Sequence, residues 1–191
     1  MINQAEIKLA VTSIIKSIGE DPDREGLKDT PRRVAEMYTE LFMGQDMSPK
    51  EALTVGFEEG HREMVILRDI PFHSMCEHHL LPFYGVVHVG YLPNASGRVV
   101  GASKLARVVE IFAKRLQIQE RMTTQIADAI MEGLQPTGVG VVVKAEHMCM
   151  IMRGVKKPGS NIITSAIRGA FRTYEASRAE FFSLIQGNRI S

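Results

Sequence analysis

Apolar side chains recur at helical spacing in the first part of this chain. One such segment covers residues 7–18, and a second follows Thr30 and ends near Gly44. Thr30 followed by Pro31 is typical of a helix cap and a first turn. The pattern therefore predicts two amphipathic helices, which form a helical N-terminal extension over residues 1–45.

The rest of the chain alternates between strand and helix patterns. Short β-branched or aromatic segments predict strands at residues 64–70, 84–92, 138–153 and 162–167. Helical spacing predicts a helix capped by Ser103 and two more at residues 120–134 and 174–185. No repeat or long linker interrupts residues 46–191, so we expect a single α+β domain after the extension.

Composition narrows the possible functions. The 191 residues are 45% hydrophobic and 24% charged, which is enough for one sizeable core. With 23 Lys and Arg against 22 Asp and Glu, the net charge is +1, which disfavours a nucleic-acid partner. No apolar run has the ~20 residues that a membrane span needs, and the N-terminus lacks a signal-peptide pattern. We therefore expect a cytoplasmic protein whose two cysteines do not form a disulfide framework.

Histidines and cysteines cluster in a pattern that predicts a metal site. Cys76 and His79 are three residues apart, so one turn can direct a thiolate and an imidazole at one point. His147 and Cys149 are two apart, and an extended backbone would place both on the same face. Two cysteines and one histidine leave the fourth tetrahedral position open, as in catalytic zinc sites.

The other histidines of the cluster suggest proton transfer. Adjacent side chains such as His78 and His79 point in different directions, so the four clustered imidazoles cannot all bind the metal. An imidazole with a pKa near ~6.5 exchanges protons at cellular pH, which makes His78 and His147 candidates for acid–base catalysis. Each cysteine alone is also consistent with a small core residue, and a fourth histidine would make the zinc structural. No role is assigned to His61, His73 and His88.

A second cluster combines a predicted helix start with a hydroxyl group and two cations. Lys104 and Arg107 are three residues apart and share a helix face, just after Ser103. Free N–H groups at a helix start attract anions, and Arg153 adds positive charge close to the second cysteine. The cluster is consistent with a phosphate site, although such cations are more often part of a solvated helix surface.

Gln119 and Glu120 begin the next helical segment and allow two interpretations. They are a possible capping pair for that helix. Alternatively, a carboxylate there would accept two parallel N–H bonds, as offered by the N1–H and 2-amino groups of guanine. The sequence alone leaves both interpretations open.

Several ordered motifs between residues 21 and 182 resemble the GTP cyclohydrolase I family. The motifs are SMCEHH (74–79), GASKLAR (101–107), QIQERM (117–122) and EHMCMIMRGVK (146–156), with DTPRR (29–33) and TSAIRG (164–169). The resemblance implies a tunnelling fold, in which an antiparallel sheet is backed by helices. It also implies a homodecamer of two pentamers, with active sites where subunits meet.

The resemblance implies a role for each matching residue. The residues that match the ligands of one Zn²⁺ per subunit are Cys76, His79 and Cys149. The residues that match the acid–base catalysts are His78 and His147. Guanine would be recognised by Glu120 with Gln119, and the triphosphate by Ser103, Lys104, Arg107 and Arg153, with Arg33 as a weaker match. One departure is Leu116, which stands where the family commonly has a proline and so lacks that ring's restraint on the loop.

The implied reaction is the hydrolytic opening of GTP at C8, with loss of formate and rearrangement to 7,8-dihydroneopterin triphosphate. This is the first step of tetrahydrofolate or pterin biosynthesis and needs no redox cofactor. An enzyme of the pyruvoyl-tetrahydropterin synthase type would hold zinc with histidines alone, which the two cysteines disfavour. A non-catalytic zinc-stabilised assembly module is a further alternative, and it would have a closed metal site and no affinity for nucleotides.

Overall fold

A five-stranded sheet with helices on both faces organises the structure. The computed structural model describes residues 2–186. Its strands are β1 (Gly56–Glu58), β2 (Val65–Cys76), β3 (Leu81–Leu92), β4 (Arg98–Val100), β5 (Leu116–Gln117), β6 (Gly138–His147) and β7 (Ile162–Gly169). Its helices are α1 (Gln4–Ser17), α2 (Thr30–Leu41), α3 (Pro49–Ala52), α4 (Ala102–Ala113), α5 (Gln119–Leu134), α6 (Met148–Ile151), α7 (Ala170–Thr173) and α8 (Glu175–Gln186), with a 3-10 helix at Met43–Asp46.

The strand order confirms the predicted fold class. The sheet runs β5-β2-β3-β6-β7, and every neighbouring pair is antiparallel except the short parallel pair of β2 with β5. Strands β1 and β4 form a separate antiparallel ribbon. The structure is therefore an α+β fold with an antiparallel sheet backed by helices, as expected.

The two predicted N-terminal helices are present, and they lie next to each other. The Gln4 Nε2 group of α1 donates a hydrogen bond to Thr39 Oγ1 of α2 at 2.9 Å. The domain boundary at residue 45 stays a prediction. None of the helices within residues 2–186 is both long and apolar enough to cross a membrane.

Helices α4 and α5 cover one face of the sheet and form the main core with it. Their apolar residues recur three and four positions apart, so each helix presents one continuous apolar stripe to the strands. The fully buried side chains of these stripes include Leu105, Val108, Met122, Ile126 and Ile130. Because α8 covers part of the opposite face, β6 is buried along most of its length.

The largest differences from the predicted strand boundaries are at the ends of β2 and β6, and both lie at the site. Strand β2 continues past Ile70 because its polar positions also pair with β3, with His73 opposite Tyr84. Strand β6 ends at His147, so the predicted strand through residue 153 is wrong. The chain instead turns into α6, where Met152 N–H donates to Met148 O at 3.0 Å. The apolar side chains of this segment fit the two-residue period of a strand as well as the period of a helix, which is why the pattern did not reveal the turn.

The helix starts also differ from the prediction by a residue or two. Helix α2 begins at Thr30 with Asp29 in the N-cap position. Helix α4 begins at Ala102 with Gly101 in the N-cap position and has no side-chain capping bond. Ser103 therefore lies inside the first turn of α4 and does not cap it.

Gly44 and Leu116 have packing and pairing roles that the sequence did not indicate. Helix α2 already ends at Leu41, and Gly44 lies in the 3-10 helix, where a Cβ would collide with the Ile111 carbonyl oxygen of α4. Leu116 lies in β5 and pairs with Met75 of β2. Strand pairing thus restrains the loop that has no proline at this position.

Two facing glycines make room for α8 to pack against the sheet. Gly90 of β3 and Gly140 of β6 lie directly opposite each other, and the fully buried ring of Phe181 rests on both. A Cβ on Gly140 would lie 2.8 Å from the Phe181 ring. That ring has little room to move, because Phe171 stacks beside it at 5.5 Å between centroids.

We predict that Gly140→Ala lowers the free energy of unfolding by about 1–3 kcal/mol, the usual cost of overpacking a core. Gly26→Ala is the matched control, since a Cβ there meets only the flexible end of Arg24, and it should stay within about 0.5 kcal/mol. Denaturant titration of both variants measures the difference. Equal free energies of unfolding for the two variants would contradict the packing role assigned to Gly90 and Gly140.

Candidate metal centre and active site

The turn between β2 and β3 brings the first two candidate ligands together. Cys76 ends β2, and its carbonyl oxygen accepts from His79 N–H at 3.4 Å and from Leu80 N–H at 2.9 Å. Leu80 adopts the left-handed conformation (φ 53°) that reverses the chain. The Cys76 Sγ atom therefore lies 3.9 Å from His79 Nδ1.

The third candidate ligand, Cys149, lies just past the end of β6, at the same end of the β3–β6 ladder as this turn. Phe83, two residues into β3, lies opposite His147, so the chain leaving β6 emerges beside the turn. The ligand atoms of Cys76, His79 and Cys149 all lie within 4.8 Å of one another. Within residues 2–186, no other three His, Cys, Asp or Glu side chains converge in this way.

The three side chains have the composition and spacing of a metal site. Around a tetrahedral zinc ion, thiolate sulfurs and imidazole nitrogens are about 3.5–3.8 Å apart. The three ligand atoms would therefore need to move only slightly closer together to bind one zinc ion. Burial raises the pKa of the Cys149 thiol, and the neighbouring Cys76 raises it further. A divalent cation removes this cost, because it favours the thiolate form of both.

His147 and Cys149 do not share a face, which corrects the prediction from an extended backbone. Since β6 ends at His147, Cys149 follows the turn of α6 toward the other ligands. The His147 imidazole instead stacks on Phe83, with centroids 4.6 Å apart and planes 5° apart. Its Nε2 atom lies 2.8 Å from Gln119 Oε1.

The two candidate acid–base histidines lie in contrasting environments. His147 is only 8% exposed, and burial lowers its pKa while the nearby Glu120 carboxylate acts in the opposite direction. His78 is 64% exposed, with its Nε2 atom 3.9 Å from a Glu77 carboxylate oxygen. One imidazole is thus shielded from water, and the other is open to it.

The structure separates the roles of Gln119 and Glu120. The buried Gln119 amide does not cap α5, since its Nε2 donates to Val143 O, Ile162 O and Thr164 Oγ1 at 3.0–3.1 Å. Glu120 is exposed in the first turn of α5, and its carboxylate makes no hydrogen bond within residues 2–186. Only the Glu120 side chain is free to meet a ligand with both of its oxygens.

An ion pair that the sequence analysis did not predict connects α5 to the ligand turn. Arg121 of α5 donates to the Glu77 carboxylate and, through Nε, to Gln117 Oε1 at 3.2 Å. This contact lowers the pKa of Glu77. Gln117 is anchored in turn by Nε2 bonds to Phe112 O and Gln125 Oε1. The motif at residues 117–122 contains these residues, but nothing in the sequence indicates their partners.

The candidate phosphate residues are more dispersed. Ser103 and Arg107 of α4 line a cavity of about 570 Å³ between α4, β2 and the end of α2. Lys104, Arg153 and Arg33 are not among its lining residues. Arg153 is close enough to lower the pKa of the Cys149 thiol slightly, and Arg33 lies on α2 with its guanidinium 3.6 Å from the Asp29 carboxylate.

Two thiols and an imidazole that converge beside a nearly buried second imidazole are the features of a metal-dependent enzyme. The family model for GTP cyclohydrolase I matches residues 7–186. The chain belongs to the GTP cyclohydrolase I family, and its antiparallel sheet backed by helices is consistent with the tunnelling fold of that family.

Similar proteins carry the same family name over nearly their whole length. A GTP cyclohydrolase 1 of Dehalococcoides mccartyi is 70% identical over 186 residues, which cover 97% of this chain and 98% of the relative. The GTP cyclohydrolase 1 of Carboxydothermus hydrogenoformans is 64% identical over 185 residues, covering 97% and 96%. That of Thermoanaerobacter pseudethanolicus is 57% identical over 189 residues, covering 99% and 100%.

We predict that Arg121→Met weakens metal binding by about 10- to 100-fold, because the Glu77 contact no longer fixes the ligand turn. Competition with a chelator of known affinity measures the change. Arg168→Met is the matched control, since Arg168 Nε also donates to a carboxylate of α5, that of Asp128 at 2.7 Å. Unchanged metal affinity in the Arg121 variant would contradict the positioning role of this ion pair.

Proposed function

We propose that this protein opens the guanine ring of GTP at C8 by hydrolysis, releases formate and forms 7,8-dihydroneopterin triphosphate. The observation that carries the proposal is the convergence of Cys76, His79 and Cys149 beside the buried His147. Family membership over residues 7–186 supports the same reaction. The product is the first intermediate of tetrahydrofolate or pterin biosynthesis.

We further propose that Cys76, His79 and Cys149 hold one Zn²⁺ per subunit. Two thiolates and one imidazole suit zinc, and the described residues offer no fourth ligand in this group, which supports a catalytic rather than a structural site. A zinc ion held by these residues would act as a Lewis acid and would lower the pKa of a bound water molecule toward ~7.

The histidines would supply the protons that ring opening requires. C8 of guanine lies between two nitrogens and becomes a good electrophile only when N7 is protonated. The shielded His147 suits proton transfer to N7, since water does not compete for its ring nitrogens. The exposed His78 suits proton exchange with solvent during the later rearrangement.

The charged residues around the cavity support binding of the rest of the substrate. Ser103 and Arg107 offer a hydroxyl group and a guanidinium to a triphosphate, and Lys104, Arg153 and Arg33 are proposed to contribute further positive charge. In a single chain these groups do not converge on one point. A site completed by a neighbouring subunit accounts for this dispersion.

We propose that the protein assembles as a homodecamer of two pentamers. Strand β7 pairs only with β6 within residues 2–186, and it exposes Ile163 at 65%. An unpaired strand edge with an exposed apolar side chain favours continuation of the sheet into another copy of the chain. Neither nucleic acid nor a membrane is proposed as a partner, and a cytoplasmic location stays a prediction.

The reaction itself is tested by incubating the purified protein with GTP, with and without a chelator, while measuring formate and pteridine absorbance. We predict that Cys149→Ala loses bound metal and formate release together. His78→Ala should keep its metal but slow turnover by about 10²–10⁴-fold, the usual contribution of a general acid or base. Full activity of metal-free Cys149→Ala would refute the proposed role of the metal.

Recognition of the base is tested separately with Glu120→Gln. Loss of the charge that faces N1–H and the 2-amino group should weaken GTP binding by about 10- to 100-fold, as expected for hydrogen bonds to a charged group. Binding of inorganic triphosphate should not change. Glu132→Gln, on an exposed position of the same helix, is the control. An equal loss for both ligands would show that Glu120 does not recognise the base.

A further inference from the structure

The hydrogen bonds around Gln119 determine which way its amide points. Thr123 Oγ1 donates its only hydrogen to the backbone carbonyl oxygen of Gln119 at 2.7 Å. In the 2.6 Å contact between the two hydroxyl groups, Thr164 must therefore be the donor and Thr123 the acceptor. The Thr164 oxygen is then left to accept from Gln119 Nε2, at 3.1 Å.

The reversed amide is excluded by the backbone of two strands. Gln119 Nε2 also lies 3.1 Å from Val143 O of β6 and 3.0 Å from Ile162 O of β7. A flipped amide would place its oxygen against both carbonyl oxygens, with no hydrogen between them. Such unsatisfied buried acceptors are costly, and Gln119 is only 1% exposed. Its Oε1 atom therefore faces His147.

This orientation has a direct consequence for His147. The Oε1 atom of Gln119 can only accept a hydrogen bond, so His147 Nε2, 2.8 Å away, must carry the hydrogen. Stacking of the imidazole on Phe83 restricts rotation of the ring away from this contact. In neutral His147 the hydrogen is on Nε2, and Nδ1 holds the lone pair. Nδ1 can therefore give a proton to the substrate only after it has taken one up, which converts the ring to the imidazolium form.

We propose that Gln119 is a positioning residue that holds His147 in the Nε2–H tautomer, so that Nδ1 is the nitrogen that serves the reaction. This inference rests on the proposed function, because it assigns a nitrogen to the proposed proton transfer. It gives Gln119 a role distinct from contact with the base. The backbone carbonyl groups of β6 and β7 thus fix the orientation of the Gln119 amide, and the amide in turn fixes the tautomer of His147.

The tautomer can be measured directly on the zinc-loaded protein labelled with ¹⁵N-histidine. We expect Nε2–H and unprotonated Nδ1 resonances for His147, identified by their disappearance in His147→Asn. In Gln119→Met these resonances should shift to a mixture of tautomers. Thr137→Val is the control, since it also removes a part-buried side-chain hydrogen bond, to Pro93 O at 2.7 Å, at the opposite end of β6 from His147. It should keep the Nε2–H signature.

Kinetics then separate positioning from substrate contact. We expect Gln119→Met to retain its zinc and lower kcat by at least about 10-fold, within the ~10²–10⁴-fold that an acid–base histidine contributes. KM for GTP should change less than twofold. In a His147→Asn background the same substitution should lower kcat no further, because the two residues act as one unit.

Several results would overturn the inference. These are an Nδ1–H tautomer in the wild type, a raised KM with unchanged kcat, or an equal loss of kcat in both backgrounds. If Gln119→Met does not fold, Gln119→Asn provides the second test, since the shorter side chain draws its amide out of hydrogen-bond reach of His147 and should also mix the tautomers. The resonance measurement needs no turnover, so absence of formate release would reject the proposed function separately.

Discussion

The approach of two cysteine thiols from distant parts of the chain is the constraint on which the rest of the site depends. Cys76 and Cys149 converge because β3 lies between β2 and β6, and its register with β6 sets where the chain leaves the sheet. A slip of one residue would turn each following side chain to the other face. Burial and the proximity of Cys76 disfavour ionisation of the Cys149 thiol, and a bound cation would offset that cost.

The first turn of α5 connects this candidate metal site to the imidazole of His147, the proposed acid–base group. Gln119 fixes the ring of His147, and Arg121, two residues later, holds Glu77 within the ligand turn. Adjacent side chains of a helix point about 100° apart, so a single turn can reach both neighbours and still leave Glu120 exposed between them. One short segment thereby sets the relative positions of the candidate metal ligands, the proposed acid–base histidine and the proposed base-recognition group.

The sequence predicts the parts of this arrangement that depend on local spacing. The three-residue interval from Cys76 to His79 and the apolar stripes of α4 and α5 are local, and the structure contains both. The end of β6 and the partners of Gln119 were not predictable. They depend on which strands lie side by side, and the apolar run after His147 fits a strand as well as a turn of helix.

Burial divides the site into a fixed half and an accessible half. Cys76, Gln119 and His147 are each more than 90% buried, and their positions follow from packing and from hydrogen bonds with two strands. His78, His79 and Glu120 are exposed and have few restraints within residues 2–186. A preorganised group lowers the activation free energy of the reaction because it is already held in place when the substrate binds. The buried half therefore suits the chemical step, while the exposed half suits capture of the nucleotide and exchange of protons with water.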